Sequence, residues 1–266
     1  MPKATPNKVY VIKIGGNVIN NKPTLEQFLS QFAAITEPKI LVHGGGKLAD
    51  VLSAKLGISP KMHEGRRITD ETTLDVVTMV YAGLINKQII ARLQALNCNA
   101  LGLSGADGNI ILSQKRPATN VDYGFAGDIV KVNVTWIQQL LNSCITPVLA
   151  PITHNAAGQL LNTNADTIAA EVAKALSKKY RVELCFCFDK PGVLLDVNDA
   201  NTVVHLLNEE KFLQLKRAGS IADGMLPKLT NTFATLHAGV QQVHIFQAQD
   251  LPLIIEGKRA GTLCQL

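Results

Sequence analysis

An α/β fold organised on a parallel sheet is what this sequence predicts, and three observations lead there. Short apolar runs such as Val9-Tyr10-Val11-Ile12 and Ile40-Leu41-Val42 alternate with longer segments of helical period. Glycine-containing turns follow the apolar runs directly, and no internal repeat interrupts the alternation. Such an order marks crossover units, in which each strand feeds a helix that packs back on the sheet. At 266 residues the chain fits one large domain or two lobes sharing a continuous sheet.

The first strand is expected at 9–12. A helix follows, with Leu25, Phe28, Leu29 and Phe32 at helical spacing and Thr24 and Gln27 as a capping box. The second strand, 40–42, runs into a helix over 47–56 that Gly57 stops. From Asp70 a helix carries Leu74, Val77 and Tyr81 on one stripe and Val76, Met79 and Val80 on another. That is more apolar surface than a one-faced helix needs, so one stripe is expected to face the core and the other a twin subunit.

Further strands are expected at 100–103, 148–150, 184–188 and 243–246. The polar, glycine-containing stretches at 105–108 and 122–128 read as a β-rich excursion over one lobe, with Asp107-Gly108 as a hairpin signal. A helix over 167–176 precedes the polar run Ser177-Lys178-Lys179, so the lobes are expected to divide into 1–176 and 177–266.

Composition excludes several function classes. A hydrophobic fraction of 47% rules out wholesale disorder. No apolar run approaches the roughly 20 residues of a membrane span, and the first residues carry no apolar signal segment, so a cytoplasmic protein is expected. The five cysteines show no metal-ligand or C-x-x-C spacing and read as small core hydrophobes. Net charge is +5, but lysines and arginines are spread out, which suits small anionic substrates better than nucleic acid.

Ligands bind where strands end in open α/β sheets. The first strand ends Lys13-Ile14-Gly15-Gly16-Asn17, a lysine that needs an anionic partner beside glycines that let a backbone come close. The second runs into His43-Gly44-Gly45-Gly46-Lys47 and a helix, an arrangement whose free N–H groups attract phosphate or carboxylate. It is neither a P-loop nor a dinucleotide fingerprint. Asn162-Thr163-Asn164-Ala165-Asp166 opens a helix and can act as a cap or as ligands. In Ala222-Asp223-Gly224-Met225-Leu226-Pro227-Lys228 a cation falls in the first turns of a helix expected to reach Ala238, where an anion would offset its conflict with the dipole. Phe188-Asp189-Lys190-Pro191-Gly192 ends an apolar strand with an acid and a tight turn.

Together with Gly65-Arg66-Arg67-Ile68-Thr69, these motifs resemble the amino acid kinase family, in order from Val11 to Thr262. The resemblance implies a three-layer sandwich on a mainly parallel open sheet, with two lobes sharing one continuous sheet. The N-terminal lobe would hold an acyl-amino acid and the C-terminal lobe ATP, whose Mg2+ is carried mainly by the phosphates, with no metal site on the protein. Within the family the match favours members that phosphorylate the γ-carboxylate of N-acetyl-L-glutamate. Lys13 and Lys228 would then act on the phosphoryl group, held by Asp166. Gly15, Gly16 and Gly45 would bind phosphate; Gly44, Gly45, Arg67 and Asn162 the acceptor; Asp189 and Gly192 the nucleotide. The sequence departs from the pattern at Arg66, where the family is often apolar, at Lys190 and at Pro227.

Another N-acylglutamate kinase, for instance for N-succinylglutamate, and a silent metabolite-binding regulator are the alternatives; both lysines argue against the regulator. The resemblance also implies a homodimer, with no nucleic-acid or membrane partner. Arginine-sensitive members carry an added N-terminal helix. Only Met1 to Lys8 precede the first strand, and Pro2 and Pro6 disfavour a helix there, so inhibition by arginine is not expected.

Overall fold

Every residue of β1 (Lys8–Ile14) beyond Lys8 is buried. In the computed structural model, which describes residues 8–63, 65–118, 120–221 and 225–266, Val9 and Val11 face one apolar layer and Tyr10, Ile12 and Ile14 the other. Side chains alternate along a strand, so a strand covered on both faces stays apolar throughout. The stretch before Lys8 and the Ala222-Asp223-Gly224 part of the fourth motif lie outside the described residues.

After β1 come a one-turn helix, α1 (Gly16–Asn20), and α2 (Lys22–Ala34). The N-cap of α2 is Asn21, whose side chain accepts from the Thr24 N–H at 3.1 Å. The expected Thr24 and Gln27 box is thereby corrected. Proline lacks an N–H but fits the first turn, so the helix begins before Pro23 rather than after it. β2 (Lys39–His43) pairs parallel with β1 and opens into α3 (Gly46–Lys55), closed by Gly57 at φ +73°. A hairpin of β3 (Lys61–His63) and β4 (Arg66–Ile68) follows.

The next helix spans Glu71–Ala95 as α4 (Glu71–Thr78), a π-helical turn (Met79–Ile85) and α5 (Asn86–Ala95). By length and composition it could cross a membrane, yet here it is a core helix, with Leu74, Val77, Ile85 and Ile89 buried. Val76 and Val80, expected on an outward stripe, are buried in the same layer. The correction has a physical reason: α4 is wedged between α3 and the small sheet, so it is covered on two sides within one chain. Met79 and Leu84 remain exposed, at 53% and 45%.

β5 (Ala100–Leu103) then leads to β6 (Ile111–Lys115) and β7 (Gly127–Val132). Asp107-Gly108 does not make a hairpin, because β5 and β6 belong to different sheets. It is a 3-10 turn tied back by Asp107 Oδ2, which accepts from the Ser104 N–H and hydroxyl at 2.6 and 2.8 Å. The remaining elements are α6 (Val134–Asn142), β8 (Thr146–Leu149), β9 (Ile152–His154), β10 (Leu160–Asn162), α7 (Ala165–Ser177), β11 (Arg181–Phe188) and β12 (Leu206–Leu207). They are followed by α8 (Glu209–Arg217), α9 (Leu226–His237), β13 (Gln242–Gln247), α10 (Leu251–Ile255) and β14 (Thr262–Cys264).

The main sheet has eight strands in the order β12-β14-β13-β11-β1-β2-β8-β5, parallel except for β13 against β14. One core layer joins it to α6, α7 and α9, the other to α2, α4 and α5. This is the three-layer sandwich on a mainly parallel, continuous sheet. The excursion forms a second, four-stranded sheet in the order β10-β9-β6-β7. Four of the cysteines are buried in the core as expected, whereas Cys144 is exposed just beyond α6.

Candidate active site

Because β11, β1, β2 and β8 are parallel neighbours, their C-terminal ends emerge along one edge, and the motif residues collect there. Lys13 shares the parity of Val9 and Val11, so it projects toward α7. The first turn of α7 supplies Asp166, whose Oδ1 lies 2.6 Å from Lys13 Nζ. Asn164 caps that helix, accepting from the Thr167 N–H at 3.0 Å, which leaves Asp166 free for the lysine.

Lys228 reaches the same place from the first turn of α9. It does not join the ion pair of Lys13 and Asp166; instead both ammonium groups stand over the Phe188 ring, Lys13 at 5.1 Å and Lys228 at 4.1 Å from its centroid. A ring face attracts cations, and this arrangement holds two like charges close together before any anion arrives.

The glycine loops form the floor. Gly15 N–H donates to Cys187 O at 3.3 Å and Gly44 N–H to Ile14 O at 3.0 Å, which ties the ends of β11, β1 and β2 together. Gly45 adopts φ +154°, and an added Cβ would stand 3.0 Å from Tyr81 Cδ1 and nearer still to Ile85. Only glycine meets both conditions. His43, fully buried below this loop, has its pKa depressed to about 4 by burial, so its ring is neutral at physiological pH.

Two cavities flank Lys13. One of about 250 Å3 is lined by Gly44, Gly45, Arg66, Arg67, Arg116 and Asn162. Arg67 is 9% exposed; its Nη2 lies 2.7 Å from Asp50 Oδ1, and its buried Nη1 makes no well-formed hydrogen bond. The Tyr81 hydroxyl stands beside that guanidinium; burial raises its pKa, and the arginine partly offsets the rise. Asn162 is oriented by its Nδ2, which donates to Thr69 Oγ1 at 3.0 Å. Arg116, from the end of β6, forks onto Asp128 with contacts of 2.5 to 3.3 Å.

The second cavity, of about 320 Å3, is lined by Gly15, Gly16, Asn17, Lys47, Asp189 and Lys228. Asn17 Nδ2 donates to Asp189 Oδ2 at 2.8 Å, and Lys47 Nζ donates to Asn17 Oδ1. Lys13, Gly16 and Gly46 line both cavities. Gly192 lies apart from them, packed against Thr262 and Val203 beneath the turn that follows β11.

Sequence reasoning thus identified residues that converge, but it passed over Lys47, Asn17, Tyr81, Arg116 and the pair His43 and Asn86. Lys47 and Asn17 sit inside the glycine motifs and were readable there. Arg116 and Asn86 carry no local signal, since only the tertiary path of β6 and the π-turn brings them to the edge.

Comparison with known proteins agrees with the fold and the motifs. The sequence profile described as the amino acid kinase family matches residues 8–247. Acetylglutamate kinase of Cytophaga hutchinsonii is 52% identical over 257 residues, covering 96% of this chain and 97% of its own. Among solved structures, N-acetylglutamate synthase from Neisseria gonorrhoeae, complexed with coenzyme A and N-acetyl-glutamate, gives a TM-score of 0.84 at 21% identity; the match covers 98% of this chain and 60% of that one. Carbamate kinase from Giardia lamblia bound to AMP-PNP gives 0.70 at 15% identity over 100% of this chain and 99% of its own. The two structures share the fold. The profile and the Cytophaga relative share the sequence across the same strand ends that build the two cavities, and on that ground the chain belongs to the amino acid kinase family.

Proposed function

We propose that the chain transfers the γ-phosphoryl group of ATP to the γ-carboxylate of N-acetyl-L-glutamate, giving N-acetyl-L-glutamyl 5-phosphate and ADP in arginine biosynthesis. The observation that carries this reading is the pair of adjoining cavities that meet over Lys13, one rimmed by arginines and an amide, the other by lysines and glycine N–H groups. The close relative named acetylglutamate kinase supports the choice of acceptor.

A glutamate γ-carboxylate ordinarily titrates near a pKa of about 4.3, so it is already a nucleophile at pH 7 and requires no general base. Repulsion is the obstacle: two unit charges about 4 Å apart repel by roughly 4 kcal/mol at an effective dielectric of 20. Lys13 and Lys228 offset that repulsion where the anions meet, and Asp166 keeps Lys13 in place. Gly15, Gly16 and Gly45 offer N–H groups to phosphate oxygens. Arg67, with Asn162 and Gly44, holds the α-carboxylate.

The second cavity suits a nucleotide whose Mg2+ rides on its phosphates. Its walls present the ammonium groups of Lys13, Lys47 and Lys228, while Asp189 is engaged with Asn17. That donor set fits phosphate oxygens rather than a metal cage. Mg2+ would neutralise part of the phosphate charge. Residues 1–176 then hold the acceptor and 177–266, through Phe188, Asp189 and Lys228, the nucleotide; Gly192 would shape the turn beside it.

The reading extends to a homodimer built on the face that carries Met79 and Leu84, in a cytoplasmic setting. Coupled measurement of ADP release with and without N-acetyl-L-glutamate tests the activity, and acceptor-independent ATP hydrolysis alone would reject it.

An acyl group ending in its own carboxylate, such as succinyl, is the second reading. It is favoured by Arg66 and Arg116, which line the acceptor cavity in addition to Arg67; Arg66 has no acidic partner among the described residues. A kcat/KM panel of N-acylglutamates separates the two.

A further inference from the structure

The carbonyl of Gly44 accepts from the ring of His43, the residue before it: His43 Nδ1 lies 2.8 Å from Gly44 O. The other ring nitrogen, Nε2, faces Asn86 Nδ2 at 3.2 Å, and the same amide nitrogen donates to Val148 O at 3.0 Å. An amide NH2 only donates, so Nε2 accepts and the ring proton resides on Nδ1. Lys87 Nζ lies 3.2 Å from Asn86 Oδ1 and 3.1 Å from Gly102 O, which fixes which way the amide is turned. Gly102 is required for this fit, because an added Cβ would overlap Asn86 Oδ1. His43 is fully buried and Asn86 is 1% exposed, so water does not compete for either.

A trans peptide sets its C=O and N–H on opposite sides. Holding the Gly44 carbonyl toward His43 therefore turns the Gly45 N–H away from it, toward the cavity that Gly44 and Gly45 line. We propose that His43, set as its Nδ1–H tautomer by Asn86, is a positioning residue that aims the Gly45 N–H at the reacting phosphoryl group. The inference rests on the phosphoryl-transfer reading above. His43 touches neither substrate; it acts through the peptide it holds. The π-helical turn belongs to the same device, since it delivers Ile85 against Gly45 and Asn86 against His43 in successive residues.

The test compares three variants with the parent. In His43→Asn the amide nitrogen replaces Nδ1 and can still donate to Gly44 O, whereas His43→Leu removes the donor. Asn86→Leu leaves the ring but frees its tautomer. His43→Leu is expected to lower kcat on the order of 10²-fold, the scale of an ångström-level misplacement, with little change in the KM for ATP, while His43→Asn keeps kcat within several-fold of the parent. Nitrogen-15 NMR of the labelled parent, which needs no substrate, is expected to show His43 protonated at Nδ1, and Asn86→Leu to show a mixture of tautomers. Equal kcat losses in Asn and Leu variants of matched thermal stability, a parent-like kcat in His43→Leu, or an Nε2–H tautomer in the parent would each overturn the proposal. A parent enzyme without N-acetyl-L-glutamate-dependent turnover would instead reject the functional reading and leave the tautomer result standing.

Discussion

Asp166 Oδ1 sits 2.6 Å from Lys13 Nζ, and this ion pair joins the first strand to the first turn of α7 at the point where the two cavities meet. Lys13 is 7% exposed, so it depends on that carboxylate for its charge partner. Lys13→Ala and Lys228→Ala should each lower kcat on the order of 10²–10³-fold, because charge aimed at the phosphoryl group matters most in the transition state. The KM for N-acetyl-L-glutamate should move far less. Steady-state kinetics of both variants check this, and Asp166→Asn should fall in the same class by loosening Lys13.

Arg67 is expected to act on binding instead. Arg67→Ala should raise the acceptor KM at least tenfold while kcat changes little, the signature of an interaction equally strong in ground and transition states. Asp50→Asn, which removes the contact at 2.7 Å, should raise the same KM more modestly, since the guanidinium remains but is no longer pinned. An unchanged KM in Arg67→Ala would assign the α-carboxylate to another residue.

Gly45→Ala should combine backbone strain with a steric clash. At φ +154° an L-residue is strained, and the new methyl meets Ile85 and Tyr81. A loss of roughly 1–3 kcal/mol of stability is expected from overpacking, with a fall in kcat. Ile85→Val removes the Cδ1 atom that lies nearest, so the double variant should recover part of the stability in urea unfolding. No recovery would mean that backbone strain dominates.

Acid should weaken the fold through His43. Its folded pKa of about 4 lies below the ordinary histidine value of 6.5, so the unfolded chain binds the extra proton between those values. The contribution is therefore complete above pH 6.5 and is lost as pH falls toward 4, a span worth about 3 kcal/mol for a fully buried ring. Urea unfolding of parent and His43→Asn at pH 7.5 and 4.5 checks it: the gap in stability should shift against the parent at the lower pH.

The exposed pair Met79 and Leu84 gives the assembly prediction. Light scattering at micromolar concentration should report a two-fold dimer, and Met79→Glu combined with Leu84→Glu should shift it to monomer. A parent that is already monomeric would remove the dimer from the reading.

Much of this molecule could be read from its residues, and the misses have physical causes. β1, β2 and β11 were legible because burial on both faces forces an unbroken apolar run, and their glycine exits marked the sheet edge. The start of α2 was misplaced because Pro23 looks like a boundary but is tolerated in a first turn. Asp107-Gly108 has hairpin chemistry, yet the strands on either side join different sheets, a non-local choice that no four-residue window contains. In the site, Lys13, Gly45, Arg67, Asn162 and Asp166 announced themselves by motif. Phe188 was recorded only as a strand residue, although its ring underlies both lysines. A phenylalanine ending an apolar strand gives no sign that cations will gather over it.

The π-helical turn, Met79–Ile85, makes this helix sensitive to length in a way its neighbours are not. Each residue of an α-helix advances the side chain by about 100° around the axis. Removing one residue inside the turn would let the backbone relax to ordinary α-helical bonding, but everything after it would rotate, and Asn86 would leave His43. A deletion that tidies the secondary structure would thus uncouple the glycine loop from its support. Single-residue deletions scanned along Glu71–Ala95 should therefore be least tolerated where the backbone is least regular.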